Sequence, residues 1–370
     1  MGDWMFNILY TAHTKFSKAD EVSIDAAYLS ALLFLVDYTP SLSDKKAQMS
    51  TLIESLSQDL KLRIQKSYSA QSDHQLWRYE DWLTEASAVG RVIVFCPNPY
   101  SLYTSIVLHL CGVLKISVVG VVVRKFTLSR LIFELQRDGL FRLAKKVIRK
   151  LILRTDENSN MSDFSLKKLH DEIVGAQPNI IKACAQRKIP ILKVNEFDNS
   201  TEWLEQKNPD IGLFTGGGMI SKSILEKFKI GVQNLHMGIL PQYKGMDVVQ
   251  APILEAKPVG LTAHLMEVEL DAGPIIQTFE MSTQGYDSLG SLRNALSAIV
   301  PVMAIDSLLG IFSDRLFVCC QPLIGRQYYI MHPLLIKLTD NILAFQHQNM
   351  VSQKRNIISQ NITTLLKYLG

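Results

Sequence analysis

Residues 231–276 read GVQNLHMGILPQYKGMDVVQAPILEAKPVGLTAHLMEVELDAGPII, and this stretch decides how the rest of the chain is read. It opens and closes on short apolar runs, which read as two buried strands. Four residues in it are more polar than a strand core needs: Asn234, His236, His264 and Asp271. Asn234 and His236 are two apart, so on a strand both side chains point the same way. At the carboxyl end of a strand in an open parallel sheet they would stand where such sheets bind ligands. Leu240-Pro241 and Gly245 set turns in a loop that walls this place.

Upstream, the texture changes at Arg91. Val92 to Phe95 reads as a buried strand, Pro97 to Ser101 as a loop, Leu102 to Gly112 as a helix and Ile116 to Val123 as a second strand. This is a βαβ unit with a right-handed crossover. Leu166 to Gln186 reads as one helix, Ile189 to Val194 as a strand, Thr201 to Gln206 as a short helix and Asp210 to Phe214 as a strand. Thr215-Gly216-Gly217-Gly218 follows, where glycines let the backbone turn tightly and approach a ligand. The run matches neither a dinucleotide fingerprint nor a phosphate loop, so no nucleotide is inferred. Ile224 to Phe228 is read as helical. Downstream, Leu289 to Phe312 reads as a long helix, Phe317 to Ile330 as extended chain and Leu334 to Gln346 as a helix.

Residues 1–89 read as helical, over Ile24 to Val36, Asp44 to Lys66 and Leu76 to Ala88, and carry no chemical motif. They suit a helical appendage or an oligomerisation module, so a homo-oligomer is one expectation. The segment from Arg124 to Arg154 is basic and amphipathic, with Lys145, Lys146, Arg149 and Lys150 in its second half. It reads first as a solvated face packed on the sheet. Its other readings are docking to an anionic membrane surface and attraction of a phosphorylated substrate.

The 370 residues are 47% hydrophobic and 20% charged, so the chain can hold one large domain or two ordinary ones. A net charge of +4 does not by itself point to nucleic acid. The five cysteines form no C-x-x-C pair, which fits a reducing, cytoplasmic setting. Neither a signal peptide nor a myristoylation pattern is read at the N-terminus. The apolar run from Val92 to Val123 is broken by Pro97, Asn98 and Pro99 and carries Lys115, so it reads as core rather than as a membrane span.

Asn-x-His at 234–236, Leu-Pro-x-Tyr-x-Gly at 240–245, Gly-x-Thr-x-His at 260–264 and Asp-x-Gly at 271–273 together resemble the folate-dependent formyltransferases. The resemblance implies an α/β chain with a Rossmann-like, mostly parallel sheet flanked by helices. With the helical region read over 1–89, the resemblance divides the chain into that region, a catalytic domain over 90–318 and a C-terminal extension over 319–370. It implies transfer of a formyl group from 10-formyltetrahydrofolate to a primary amine, without a metal. Such a reaction needs an oriented amine, fixed donors for the charge that develops on the formyl oxygen and a group to move protons.

By resemblance, Asn234 and His236 polarise the formyl oxygen and Asp271 organises the proton transfers. His264 supports them from behind. Met266, Glu267, Val268, Leu270 and Gly273 lie in the loop that receives the pterin through backbone groups. A metal held by His236, His264 and Asp271 matches no tight ligand spacing. Tyr243 reads as loop packing. Arg326, Tyr328, Tyr329 and His332 read as a packed C-terminal element or as acceptor contacts.

The chain departs from the family in three places. Gly238 stands where many members have Ser. The G-N-G-S-N loop of glycinamide ribonucleotide transformylases is replaced by Cys96-Pro97-Asn98-Pro99-Tyr100-Ser101, and the G-T-P opening of methionyl-tRNA formyltransferases is missing. Elimination leaves an amino group on a nucleotide-linked amino sugar as the expected acceptor. A formyltetrahydrofolate hydrolase and a non-catalytic folate-binding or interaction protein are the alternatives.

Overall fold

The computed structural model describes residues 79–125, 165–322 and 325–349, with scattered positions between 29 and 57. Most of the basic segment, the polar chain end and much of the N-terminal region lie outside the described residues. The expectations of membrane docking and of three N-terminal helices therefore fall there, apart from Arg124, Lys125 and the last of those helices, found at Tyr79–Ala86 (α1).

Seven strands form one sheet. They are Val92–Cys96 (β1), Val118–Arg124 (β2), Ile191–Val194 (β3), Ile211–Phe214 (β4), Gly231–His236 (β5), Val259–Leu265 (β7) and Ile275–Met281 (β8). A further strand, Tyr243–Gly245 (β6), pairs outside it with Arg326–Tyr328 (β9). The order is β3-β2-β1-β4-β5-β7-β8. The first five are parallel, and β7 and β8 add antiparallel pairs. The sheet is thus Rossmann-like and mostly parallel, as expected.

The near-continuous apolar runs of β1 and β2 are what a strand covered on both faces requires. Alternate residues divide between two cores. Val92, Val94, Cys96, Val121 and Val123 face one core with Ile211 and Leu213. Ile93, Phe95 and Val122 face the other with Phe197, Phe214, Phe228 and Val232. The first core is covered by Leu102–Val113 (α2) and by Leu289–Phe312 (α8), which crosses α1, α2, β5 and β7. α8 is apolar and long enough to cross a membrane, yet 83% of that window is buried inside the protein. The second core is smaller and aromatic, with Phe95 and Phe197 edge to face at 5.3 Å.

Two expectations are corrected. The single helix over 166–186 is two, Leu166–Ile173 (α3) and Ile180–Gln186 (α4). Gly175 takes φ +66° and Asn179 caps the second helix, so the chain turns before restarting. The stretch 231–276 contributes three strands to the main sheet rather than two. The run from Val259 to Leu265 mixes polar residues into a buried strand, and only pairing to β5 and β8 on both sides makes it one. Extended structure between 317 and 330 is limited to β9 and a bridge between Cys319 and Ile275. The remaining helices are Thr201–Lys207 (α5), Lys222–Leu225 (α6), Gln250–Leu254 (α7) and Pro333–Asn349 (α9).

Candidate active site

β5 is anchored first. Its fully buried Gln233 donates from Nε2 to the Ala304 carbonyl and to Ser307 Oγ on α8. The neighbours Asn234 and His236 then fall on the opposite, aromatic face. Register places the third residue: Asn234 pairs with His264 and His236 with Thr262 across the antiparallel β5–β7 ladder. Directly opposed residues lie on one face within contact distance, so Asn234, His236 and His264 converge. Asp271 arrives from the loop between β7 and β8. Its Oδ2 lies 3.5 Å from His236 Nδ1 and its Oδ1 3.8 Å from His264 Nε2.

The hydrogen bonds assign orientations. His264 Nδ1 donates to the Leu265 carbonyl at 2.9 Å, so Nε2 accepts from Asn234 Nδ2 at 3.1 Å. This fixes which way the Asn234 amide points and leaves its second Nδ2 hydrogen for a ligand oxygen. Burial, then the neighbouring His236, pushes the His264 pKa down to about 4, against a smaller opposing pull from Asp271. His264 is therefore neutral at pH 7, as its acceptor role demands. His236 Nε2 donates to the Tyr243 carbonyl at 2.7 Å, which leaves Nδ1 toward Asp271. Asp271 accepts the Gly245 N–H at 2.8 Å and sits at φ +53°. A left-handed, buried non-glycine residue stores strain, and such strain clusters at functional sites.

The loop after β7 is closed tightly at its base. Gly273 lies against the Leu265 carbonyl with no room for a side chain, and Leu265 N–H bonds to the Pro274 carbonyl at 2.9 Å. Gln321 Nε2 donates to the Asp271 carbonyl at 3.0 Å and the Gly273 carbonyl at 2.6 Å. Met266 packs against the aromatic core. Val268 and Leu270 are 72% and 61% exposed, and Glu267 is exposed too. Among the described residues, the backbones of Glu267, Val268 and Leu270 make no hydrogen bond. Free backbone groups on a pinned loop, with the spare Asn234 amide hydrogen, leave hydrogen-bonding capacity for a polar ligand.

Residues with no role in the sequence reading complete the frame. Thr262 Oγ1 donates to the Gly238 carbonyl at 2.7 Å and accepts from Leu240 N–H at 3.0 Å, holding the turn after His236. Thr262 lies in the Gly-x-Thr-x-His motif and was legible there. Gln321 carried no such signal, and the Leu-Pro-x-Tyr-x-Gly motif marks Tyr243 and Gly245 only as loop packing and a turn.

The glycine run does less than expected of it. Side chains at 217 and 218 would strike Pro97 and the Arg124 guanidinium, and only Gly216 faces open space. Arg124 is buried and binds the Gly217 carbonyl, the Asn195 carbonyl and Glu196, so it locks this loop in place. Tyr243 is buried in loop packing, with its hydroxyl on Glu255. Tyr328 and His332 are buried, whereas Tyr329 is 74% exposed. Among the described residues, no cluster of three or more His, Cys, Asp or Glu is placed to hold a metal ion.

Residues 171–303 match the sequence profile of the family described as formyl transferase. A methionyl-tRNA formyltransferase of Borrelia garinii subsp. bavariensis is 31% identical over 134 residues, covering 35% of this chain and 42% of that protein. One from Pseudothermotoga lettingae is 34% identical over 120 residues, covering 30% of this chain and 36% of that protein. The chain thus spans well under half the length of these curated relatives. Solved structures of similar outline include a phosphoribosylglycinamide formyltransferase from Bacillus halodurans, with a TM-score of 0.40 and 16% identity over 61% of this chain and 96% of that one. Another is the formyltransferase PseJ from Anoxybacillus kamchatkensis, with a TM-score of 0.34 and 26% identity over 39% of this chain and 76% of that one. The segment 171–303 that matches this family holds Asn234, His236, His264 and Asp271.

Proposed function

We propose that this chain transfers a formyl group from 10-formyltetrahydrofolate to a primary amine on a nucleotide-linked amino sugar. The observation that carries the transfer is the convergence of His236 and His264 on a strained, buried Asp271, with Asn234 set against His264 by register. The bound folate supplies an activated formyl group. The Asn234 amide hydrogen left over by His264 stabilises charge on the formyl oxygen, and removing such a donor costs about 10²–10³ in rate. His236, its Nε2–H held by the Tyr243 carbonyl, sets Nδ1 against Asp271. Asp271 draws the proton from the attacking amine, directly or through water. That proton passes to the folate nitrogen as its bond to the formyl carbon breaks and tetrahydrofolate leaves. Gly245 N–H and Gln321 keep Asp271 in position. A general base of this kind contributes about 10²–10⁴-fold. The loop around Met266 to Gly273 binds the pterin.

The amino-sugar acceptor is supported by the two missing loops near residues 96–101. The names of the curated relatives favour methionyl-tRNA instead. The deciding experiment measures tetrahydrofolate release from 10-formyltetrahydrofolate with nucleotide-linked amino sugars, with methionyl-tRNA and with no amine. Saturable release that requires an amino sugar supports the proposal. Release that requires the tRNA replaces the acceptor, release without any amine makes the chain a hydrolase, and no release overturns the enzyme reading.

A further inference from the structure

β6 is three residues long, and its partner in the sheet is β9. Backbone groups of successive strand residues point to alternate edges. On one edge, Gln242 and Met246 bond β9: Arg326 N–H reaches the Gln242 carbonyl at 3.1 Å and Met246 N–H the Tyr328 carbonyl at 3.0 Å. On the other edge, Tyr243 and Gly245 face the site. The Tyr243 carbonyl takes the His236 Nε2 hydrogen and Gly245 N–H meets the Asp271 carboxylate. One short strand thus orients both reacting side chains, and its own position depends on residues 326–328, beyond the segment 171–303.

A two-stranded ribbon of this length is not stable alone, so its anchors matter. Glu255, at the carboxyl end of α7, accepts the Tyr243 hydroxyl on one oxygen and the Tyr328 hydroxyl on the other, each at 2.9 Å. The two rings lie 5.5 Å apart. Burial, reinforced by the Glu255 charge, raises both hydroxyl pKa values, so both stay donors. At the far end, Asp247 accepts Met331 N–H at 3.0 Å and Arg293 Nη2 at 2.8 Å.

We propose that Tyr328 and Glu255 are positioning residues for the reaction. Through the β6–β9 ribbon they hold His236 as its Nε2–H form with Nδ1 toward Asp271. The activity arm of this proposal rests on the formyl-transfer reading, while its spectroscopic arm does not. Gly238 belongs to the same device. A Cβ there would lie 2.8 Å from both His236 Nε2 and the Tyr243 oxygen, wedging their hydrogen bond apart.

The test is ring-¹⁵N histidine NMR of the full chain, with His236 identified by its loss in His236→Asn. The wild type should show His236 protonated at Nε2. Tyr328→Phe and the isosteric Glu255→Gln should each shift that resonance toward a mixture of tautomers. Transfer kcat should fall about 10–100-fold, with the KM for the folate donor within about threefold, as expected for a small misplacement of a catalytic group. Gly238→Ala should reproduce the spectral change with the Glu255 hydrogen bonds to Tyr243 and Tyr328 left in place. An unchanged His236 resonance in both ribbon variants, or a wild type lacking the Nε2–H form, overturns the positioning role. A changed resonance with unchanged transfer upholds the positioning and overturns the catalytic reading of His236 instead. If the wild type transfers no formyl group, the spectra alone decide.

Discussion

Asp271 and Asp306 are both buried carboxylates, 8% and 3% exposed, yet they live in opposite environments. Asp306 lies within α8 and is saturated with donors. Trp82 Nε1 and Gln277 Nε2 reach it at 3.1 Å each and Arg315 Nη2 at 2.9 Å. Arg315 is shared with Glu85, so the cluster ties α1 to α8. Among the described residues, the Asp271 carboxylate has one partner within normal hydrogen-bond length, the Gly245 backbone N–H, with two imidazoles beyond it and a left-handed backbone. Burial alone therefore does not mark a reactive group. A buried charge whose lone pairs are all occupied is structural, because desolvation is offset only by such partners. One held loosely and at a strained backbone keeps capacity for a proton or a ligand.

The largest effects should separate the two. Asp271→Asn should lower kcat about 10²–10⁴-fold in the tetrahydrofolate-release assay, with a thermal midpoint close to wild type. Asp306→Ala should do the reverse. It leaves Trp82 and Gln277 without this acceptor, takes one of the two carboxylates from Arg315 and should cost about 3 kcal/mol in denaturant unfolding, with kcat in the surviving folded fraction near wild type. An exchange of these phenotypes would break the comparison.

A smaller effect comes from His264. Its folded pKa lies below the ordinary 6.5, at about 4, so the unfolded chain binds a proton in that interval that the folded chain does not. The stability is whole above pH 6.5 and is lost as pH falls through about 4. His264→Gln should flatten that part of the unfolding profile by on the order of 1–3 kcal/mol. An unaltered profile would mean that His264 takes up its proton in the folded chain without cost.

The smallest effect sharpens the contrast from the surface. Asp210 accepts Arg91 N–H at 2.7 Å and Lys229 Nζ at 2.6 Å, and these lower its pKa from the ordinary 3.8. Its contribution is present above pH 3.8 and is lost below it, outside the His264 window. Asp210→Asn should cost under about 1 kcal/mol, as exposed ion pairs do, and leave kcat unchanged.

Much of this was readable in order along the chain. The runs at 92–95 and 210–214 and the long helix at 289–312 follow from local period and length, and the structure places them within one or two residues. Asn234, His236, His264 and Asp271 stood out because strand cores do not need them. Less legible was what turns them into a site. The break near Gly175 was hidden by apolar spacing that continues on both sides. The donors to Asp306 come from residues 224, 29 and 9 positions away, and no local pattern links them.

The sequence by itself determined which segments become strands and helices, because alternation, helical period and caps act within a few residues. It also determined the chemistry on offer, since residue type sets what can donate, accept or titrate. Only the tertiary structure decided that β7 runs antiparallel beside β5 in the register that sets His264 against Asn234. Only it decided that β9 returns to hold β6 beneath His236 and Asp271. The physical reason is that register and buried hydrogen bonds are settled by long-range packing, where one residue of slip would turn every one of these side chains to the wrong face.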